Sequence, residues 1–276
     1  MKWILYGLGI WGFLLLLAFF FQRKLMYFPP NVKFSELEKE AESHGYIPWK
    51  SQDQSSVFGF TSPLDRNLGT IVFFHGNAEH VLDSHSLATG MNPQNNWNVA
   101  LFEYPGYSKL PGSPSMHSIM SHAYQALSTL AEYRPLILIG RSIGTGIATA
   151  LARQIQPDGI ILISPFSRAL DIANERYFFL LPSLLLQDRW DNIASLGYVN
   201  VPVLILHGKN DTTIPIRFGL KLYQSISSSK KFIEVSGMGH NDIPEPDASH
   251  EFWAQVYEFL LERQTRSSPL QTTSQK

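Results

Sequence analysis

Ser142 stands in Gly140-Arg141-Ser142-Ile143-Gly144, between an apolar run at 136–140 and a stretch where Ile143, Ile147, Leu151 and Ile155 recur four apart. Strand, sharp turn and helix with a serine at the apex is a pattern that presents a hydroxyl for nucleophilic attack. Glycines on either side keep strand and helix from colliding. The turn also aims the Ile143 N–H at the oxygen of a bound carbonyl. A serine hydroxyl is a weak nucleophile near neutral pH, so it needs a base, and the base needs an orienting acid. In this pattern they follow the serine in the order acid, then histidine.

Three histidines follow Ser142: His207, His240 and His250. His207 ends an apolar run and fits a structural role. His250 opens the last helical stretch. His240 lies in Gly237-Met238-Gly239-His240-Asn241-Asp242, just past a strand-like run, where Gly239 permits the tight turn that returns an imidazole over the strand ends. His240 is the expected base. Asp211, in the loop after the apolar run at 203–206, is the expected acid. Asp171, Asp188 and Asp191 fall in a long connection, and Asp242 follows the histidine too closely. Acyl chemistry also needs a second donor for a developing oxyanion. His75-Gly76-Asn77-Ala78 follows the apolar run at 70–74, so the Asn77 N–H is expected beside that of Ile143, with His75 bracing the loop. The remaining histidines show no metal-ligand spacing, and no metal or cofactor is expected.

The elements that must position these groups alternate. Strands are expected at 46–50, 57–61, 70–74, 99–103, 136–140, 160–164, 203–207 and 232–235. Helices are expected at 35–43, 78–89, 115–133, 145–156, 217–225 and 249–263. Continuous apolar strands between helices imply an α/β fold with a mostly parallel sheet covered on both faces. Residues 166–198 interrupt the alternation as an insertion or small cap. Its apolar stretch at 177–186 reads equally as core, as a wall of a substrate groove or as a membrane contact.

The chain has 276 residues, a formal net charge of −1 and no cysteine. One large domain fits that length. The charge gives no basic face for nucleic acid, and disulfides, thiol nucleophiles and zinc–thiolate sites are excluded. Residues 3–21 are uncharged and would reach about 28 Å as a helix, close to a bilayer core of about 30 Å. Lys2 precedes them; Arg23, Lys24, Tyr27 and Phe28 follow. No small-residue cleavage site follows, which favours an uncleaved anchor over a signal peptide. One extra cation after the span leans the rest of the chain towards the cytoplasm. The expected division is an anchor at 1–24, a catalytic domain at 25–264 and a disordered tail at 265–276. The anchor is expected to be separable, since the serine, acid and histidine all lie beyond it.

With these motifs in this order, the chain resembles the α/β-hydrolase superfamily, and within it the Bem46/ABHD-type membrane-anchored serine hydrolases. The resemblance covers residues 25–261. It rests on the motifs above, on residues 22–30 after the anchor, and on Tyr104-Pro105-Gly106-Tyr107, Gly112-Ser113-Pro114-Ser115, Ser164-Pro165-Phe166 and His207-Gly208-x-x-Asp211-x-x-x-Pro215. It implies an α/β-hydrolase fold with a short helical insertion behind one N-terminal transmembrane helix. It also implies hydrolysis of lysophospholipid, acylglycerol or protein-thioester acyl groups, through an acyl-enzyme and without a cofactor. An amidase or peptidase, or a non-catalytic membrane protein of this fold, is the alternative. One departure stands out: such relatives usually read Tyr-Gly-x-Ser-x-Gly before the Pro-Ser, whereas Ser108-Lys109-Leu110-Pro111-Gly112 follows Tyr107 here.

Overall fold

Strands with every side chain apolar can be buried only where both faces of a sheet are covered. The computed structural model, which describes residues 2–247 and 250–267, meets that condition. In chain order it contains helices α1 (Lys2–Met26) and α2 (Phe34–Ser43), then strands β1 (Ile47–Lys50), β2 (Val57–Thr61) and β3 (Thr70–Phe74). Next come α3 (His85–Met91), β4 (Asn98–Phe102), α4 (Met116–Ser128), β5 (Leu136–Arg141), α5 (Ile143–Ile155) and β6 (Gly159–Ile163). Then follow α6 (Ala169–Tyr177), α7 (Pro182–Leu185), α8 (Asn192–Leu196), β7 (Val203–Gly208), α9 (Ile216–Ser225), β8 (Lys230–Val235) and α10 (Glu251–Ser267).

The strands form one 8-stranded sheet in the order β1-β2-β4-β3-β5-β6-β7-β8. β1 and β2 pair antiparallel, β2 meets β4 antiparallel, and every later pairing is parallel. Period-two alternation sends neighbouring side chains to opposite cores. Leu138, Leu162 and Ile205 join α4, α5 and α9 on one face. Ile137, Ile161 and Leu204 join α2, α3 and α10 on the other. Each fully buried Leu or Ile contributes about 1.5–3 kcal/mol, so β5 and β6 are the firmest part of the frame, and the serine leaves the end of β5.

The structure departs from the expected elements in places. The helix expected at 78–89 forms only a 3-10 turn at Val81–Ser84 and then α3, because Ala78 sits at φ 59, outside helical backbone. α4 begins after Ser115, whose side chain caps the Ser118 N–H at 3.0 Å, and it ends by Ser128. The final helix runs on through Ser267, so residues 265–267 are helical rather than part of a disordered tail. Gln264 holds that end by donating to the Asn96 carbonyl at 3.0 Å. Residues 268–276 of the expected tail, and Ser249 at the expected helix start, lie outside the described residues. α1 is the one helix among the described residues long and apolar enough to cross a bilayer.

Two glycines set how closely α5 approaches the sheet. A Cβ on Gly144 would overlap the Phe74 carbonyl, and one on Gly140 would overlap the backbone of Gly144 and Thr145. Gly144→Ala is therefore expected to destabilise the protein by about 1–3 kcal/mol as an overpacked site. Gly197→Ala has helical backbone and ordinary contacts, so it should be neutral or stabilising by up to about 1 kcal/mol. Denaturant unfolding of the full chain in detergent micelles checks both. Equal effects at the two positions would refute this account of the close approach.

Candidate active site

The turn between β5 and α5 puts Ser142 at φ 53, ψ −118, backbone that an L-residue holds only when the surroundings enforce it. Its N–H is fixed to the Ile163 carbonyl at 3.0 Å. His240 Nε2 lies 3.0 Å from Ser142 Oγ, and His240 Nδ1 lies 2.7 Å from Asp211 Oδ2. An ionised carboxylate can only accept, so Nδ1 carries the hydrogen and Nε2 presents its lone pair to the serine hydroxyl. The structure thus brings together all three of Ser142, Asp211 and His240.

Asp211 sits in the loop after β7 with its side chain fully enclosed. Its Oδ1 accepts from the Thr213 and Ile214 N–H groups at 2.9 and 2.7 Å. Burial alone would raise its pKa. Hydrogen bonds from His207 and His240 and from the Ile214 N–H outweigh burial and hold the carboxyl well below its ordinary range. His207, fully buried, binds the Ile214 carbonyl at 2.8 Å and approaches Asp211 at 3.5 Å, so it folds the acid loop. Asp188 and Asp191 stand elsewhere. Asp188 pairs with Arg23, and Asp191 caps α8 through the Ala194 N–H at 2.8 Å.

The loop after β3, which carries Asn77, is braced by groups the sequence did not single out. Glu103, just past β4, is completely buried. It receives the His75 Nε2 proton at 2.8 Å, the Tyr104 and Val81 N–H groups at 3.0 and 3.1 Å, and the Ser108 hydroxyl at 2.5 Å. Four donors around one carboxylate account for its burial. Burial disfavours the His75 imidazolium, yet the adjacent Glu103 outweighs it and raises the His75 pKa. His75 Nδ1 then donates to the Gly76 carbonyl at 2.8 Å. In a trans peptide N–H and C=O point opposite ways, so this bond turns the Asn77 N–H away from the His75 ring, and Asn77 lines the cavity that holds Ser142. Among the described residues, neither the Asn77 N–H nor the Ile143 N–H has a protein partner. Ser108 also gives the departure after Tyr107 a structural role: at φ 46 it supplies one of the four donors.

Tyr104 OH binds the His75 carbonyl at 2.6 Å, and Tyr107 OH binds Asn77 Oδ1 at 2.7 Å. The Asn77 side chain faces the end of α1. Its Nδ2 donates to the Met26 carbonyl at 2.6 Å and its Oδ1 accepts the Phe28 N–H at 2.9 Å. Arg141 ties three loops together, bridging Glu79 at 2.7 Å and Asn241 Oδ1 at 2.8 Å. Ser142 and His240 open into a cavity of about 660 Å³. Its walls come from α6, α7 and the turn between them, and also from Ala18, Gln22, Leu25 and Met26 of α1. The site is therefore not confined to residues beyond the anchor. The apolar stretch at 177–186 is not core, since Phe178 is 72% and Leu184 74% exposed.

Comparison with known proteins shows the family and the fold. A family model described as "Serine aminopeptidase, S33" matches residues 65–181. An uncharacterized protein of Mycobacterium tuberculosis is 28% identical over 228 residues, 80% of this chain and 81% of the relative. The alpha/beta hydrolase domain-containing protein 17C of Xenopus tropicalis is 30% identical over 235 residues, 81% of this chain and 70% of the relative. The chain belongs to the α/β-hydrolase superfamily. Two solved structures share the hydrolase fold at lower identity. They are a monoacylglycerol lipase of Paleococcus ferrophilus (19% identical, TM-score 0.55, 71% of this chain and 95% of that one) and an esterase of Pyrococcus furiosus (14%, 0.61, 79% and 90%). The hydrolase is also similar to the ABHD-type relatives in the span of the match, as its motifs suggested.

The buried His75–Glu103 pair gives a testable property of this hydrolase. Removing one partner of such a pair costs about 3–5 kcal/mol, so Glu103→Gln should lose that much stability at neutral pH. The sign of the pH dependence follows from the raised His75 pKa. The contribution is complete below the ordinary histidine range and is lost as pH rises through the raised value. Unfolding curves measured across that range should slope for the wild type and flatten for Glu103→Gln. Parallel curves would mean that His75 is neutral in the folded protein.

Proposed function

We propose that this hydrolase cleaves a carboxylic ester or thioester of an acyl chain through a covalent acyl-enzyme. Ser142 Oγ attacks the carbonyl carbon while His240 Nε2 takes its proton. Asp211 holds the imidazole in the required tautomer and stabilises its cationic form. The Asn77 and Ile143 N–H groups hold the oxyanion. Collapse breaks the bond to the leaving alcohol or thiol, which receives the proton from His240. Water then repeats the sequence on the acyl-serine and frees the carboxylic acid. The hydrogen-bonded chain of Ser142, His240 and Asp211, at 3.0 and 2.7 Å, carries this reading. The apolar walls, with Ile172, Ala173, Leu180 and Leu185 beside the serine, support an acyl substituent. We further propose that α1 anchors the enzyme in a membrane, with the catalytic domain at 25–264 and the cap at 166–198 as its parts.

A peptidase is the second reading, favoured by the description of the matched family. An aminopeptidase needs a free carboxylate for the substrate ammonium. Among the described residues lining the cavity the one carboxylate is Glu79, which is already paired with Arg141 and the Gly76 N–H. Side-by-side assay of an acyl ester and an aminoacyl anilide separates the two. Preference for the anilide would replace the ester reading.

Ser142→Ala is expected to abolish ester turnover and labelling by a fluorophosphonate probe while leaving the unfolding curve in place. Near wild-type turnover in that variant would end the mechanism. Asp211→Asn should lower kcat by about 10⁴-fold, because the amide stabilises the wrong imidazole tautomer. Asp191→Asn keeps a capping oxygen for the Ala194 N–H and should leave both stability and kcat little changed. A larger kcat loss at Asp191 than at Asp211 would move the acid into the cap.

A further inference from the structure

α1 meets the cap through a series of specific contacts. Along the helix, residues 12, 15, 18, 22 and 26 are less exposed than their neighbours, a spacing that defines one face. Near the end of α1, Arg23 forms a two-point ion pair with the buried Asp188 at 3.1 and 3.2 Å. One residue earlier, Gln22 donates to the Leu185 carbonyl at 3.0 Å and accepts the Gln187 N–H at 2.7 Å. Trp11 donates its indole N–H to the Phe179 carbonyl at 2.8 Å. At 1.5 Å per residue, Trp11 lies about 16 Å along the axis from Gln22. The tip of the cap thus runs beside the span to about half the depth of a bilayer core of about 30 Å.

Two properties of this stretch suit hydrocarbon rather than water. Residues 177–186 carry no charge, and they hold Tyr177, Phe178, Phe179 and Leu184 at the surface. Their irregular backbone is also covered. The Phe179 and Leu185 carbonyls take donors from α1, and the Ser183 and Leu186 carbonyls take donors from Arg189 at 2.8 and 2.9 Å. Non-helical backbone at membrane depth requires such partners, since no water is there to supply them. The same two elements line one cavity: Ala18 and Leu25 of α1, Tyr177 and Leu180 of the cap, together with Ser142. Leu25 and Tyr177 are both lining and solvent-exposed, so the seam between helix and cap is where the cavity can open.

We propose that the spanning helix is a wall of the substrate site, and that residues 177–186 insert into the bilayer beside it. The acyl chain of a membrane-resident lipid ester then slides sideways through the seam to Ser142 without crossing water. This rests on the acyl-hydrolase reading and names its substrate class: an amphiphile held in the bilayer, not a water-soluble ester.

The full chain reconstituted in phosphatidylcholine vesicles tests this directly. The chain has no cysteine, so Phe178→Cys carries a fluorophore at one site, and Tyr124→Cys on α4 provides an exposed reference. Quenching of the Phe178 label by phosphatidylcholine bearing a mid-chain nitroxide, with iodide reaching only the Tyr124 label, supports the proposal. Iodide quenching at both sites overturns it. In parallel, Ala18→Trp should narrow the helix side of the cavity and lower the hexadecanoyl-to-acetyl ratio of kcat/KM at least tenfold. An unchanged ratio overturns the role of α1 as a wall. Quenching needs no turnover, so failure of the Ser142 chemistry would show separately, as absent ester hydrolysis with the depth result intact.

Discussion

The close approach of α5 to the ends of β3 and β5 sets the conditions for everything around Ser142. A strained residue at φ 53, ψ −118 costs about 1–3 kcal/mol, and it persists because buried β5 holds one end of the turn and α5, packed closely on the sheet, holds the other. Gly144 lies against the Phe74 and His75 carbonyls at the start of the loop after β3. The elbow and that loop therefore meet backbone to backbone there, with the Arg141–Glu79 ion pair as a second tie. Parallel β3, β5, β6 and β7 end on the same edge of the sheet. Loops that are distant in the sequence consequently converge on one serine.

Two histidine–carboxylate arrangements serve this edge in different ways. Glu103 is sealed among four donors and raises the pKa of His75 beneath the loop after β3. Asp211 also has donors on both oxygens, but His240 remains partly accessible at the cavity wall. One pair is enclosed on every side. The other leaves an imidazole nitrogen facing the serine, where a proton can move. Burial opposes charge in both cases, and the number of converging hydrogen bonds decides the outcome.

The elbow, the acid loop and the histidine loop were legible because each combines a residue type with a strand end. Ser142, Asp211 and His240 are separated in sequence, but each follows an apolar run, and the parallel sheet does the rest. The expectation for Asn77 and Ile143 rests on the same logic. Glu103 was not legible: a glutamate after an apolar strand looks like the first solvated residue of a loop, and only the fold reveals the four donors around it. The 78–89 helix failed because the positive φ at Ala78 carries no residue signature; alanine ordinarily favours helix. The end of α10 was misread for a related reason, since what extends it is a contact from Gln264 to a distant loop.

The role of α1 was hidden for a different reason. In a helix apolar on every side, hydrophobic periodicity cannot say which face meets protein and which meets lipid. The information lies in three polar side chains, Trp11, Gln22 and Arg23, each of which is hydrogen-bonded to the cap. At the other end Asn77 closes the circuit. Its side chain grips the backbone of Met26 and Phe28, while the residue itself lines the cavity that holds the serine. A helix serving only as a tether would need a flexible joint at this point. Here the junction is hydrogen-bonded to a loop that lines the cavity, so the position of α1 and the geometry beside Ser142 are set by the same residues.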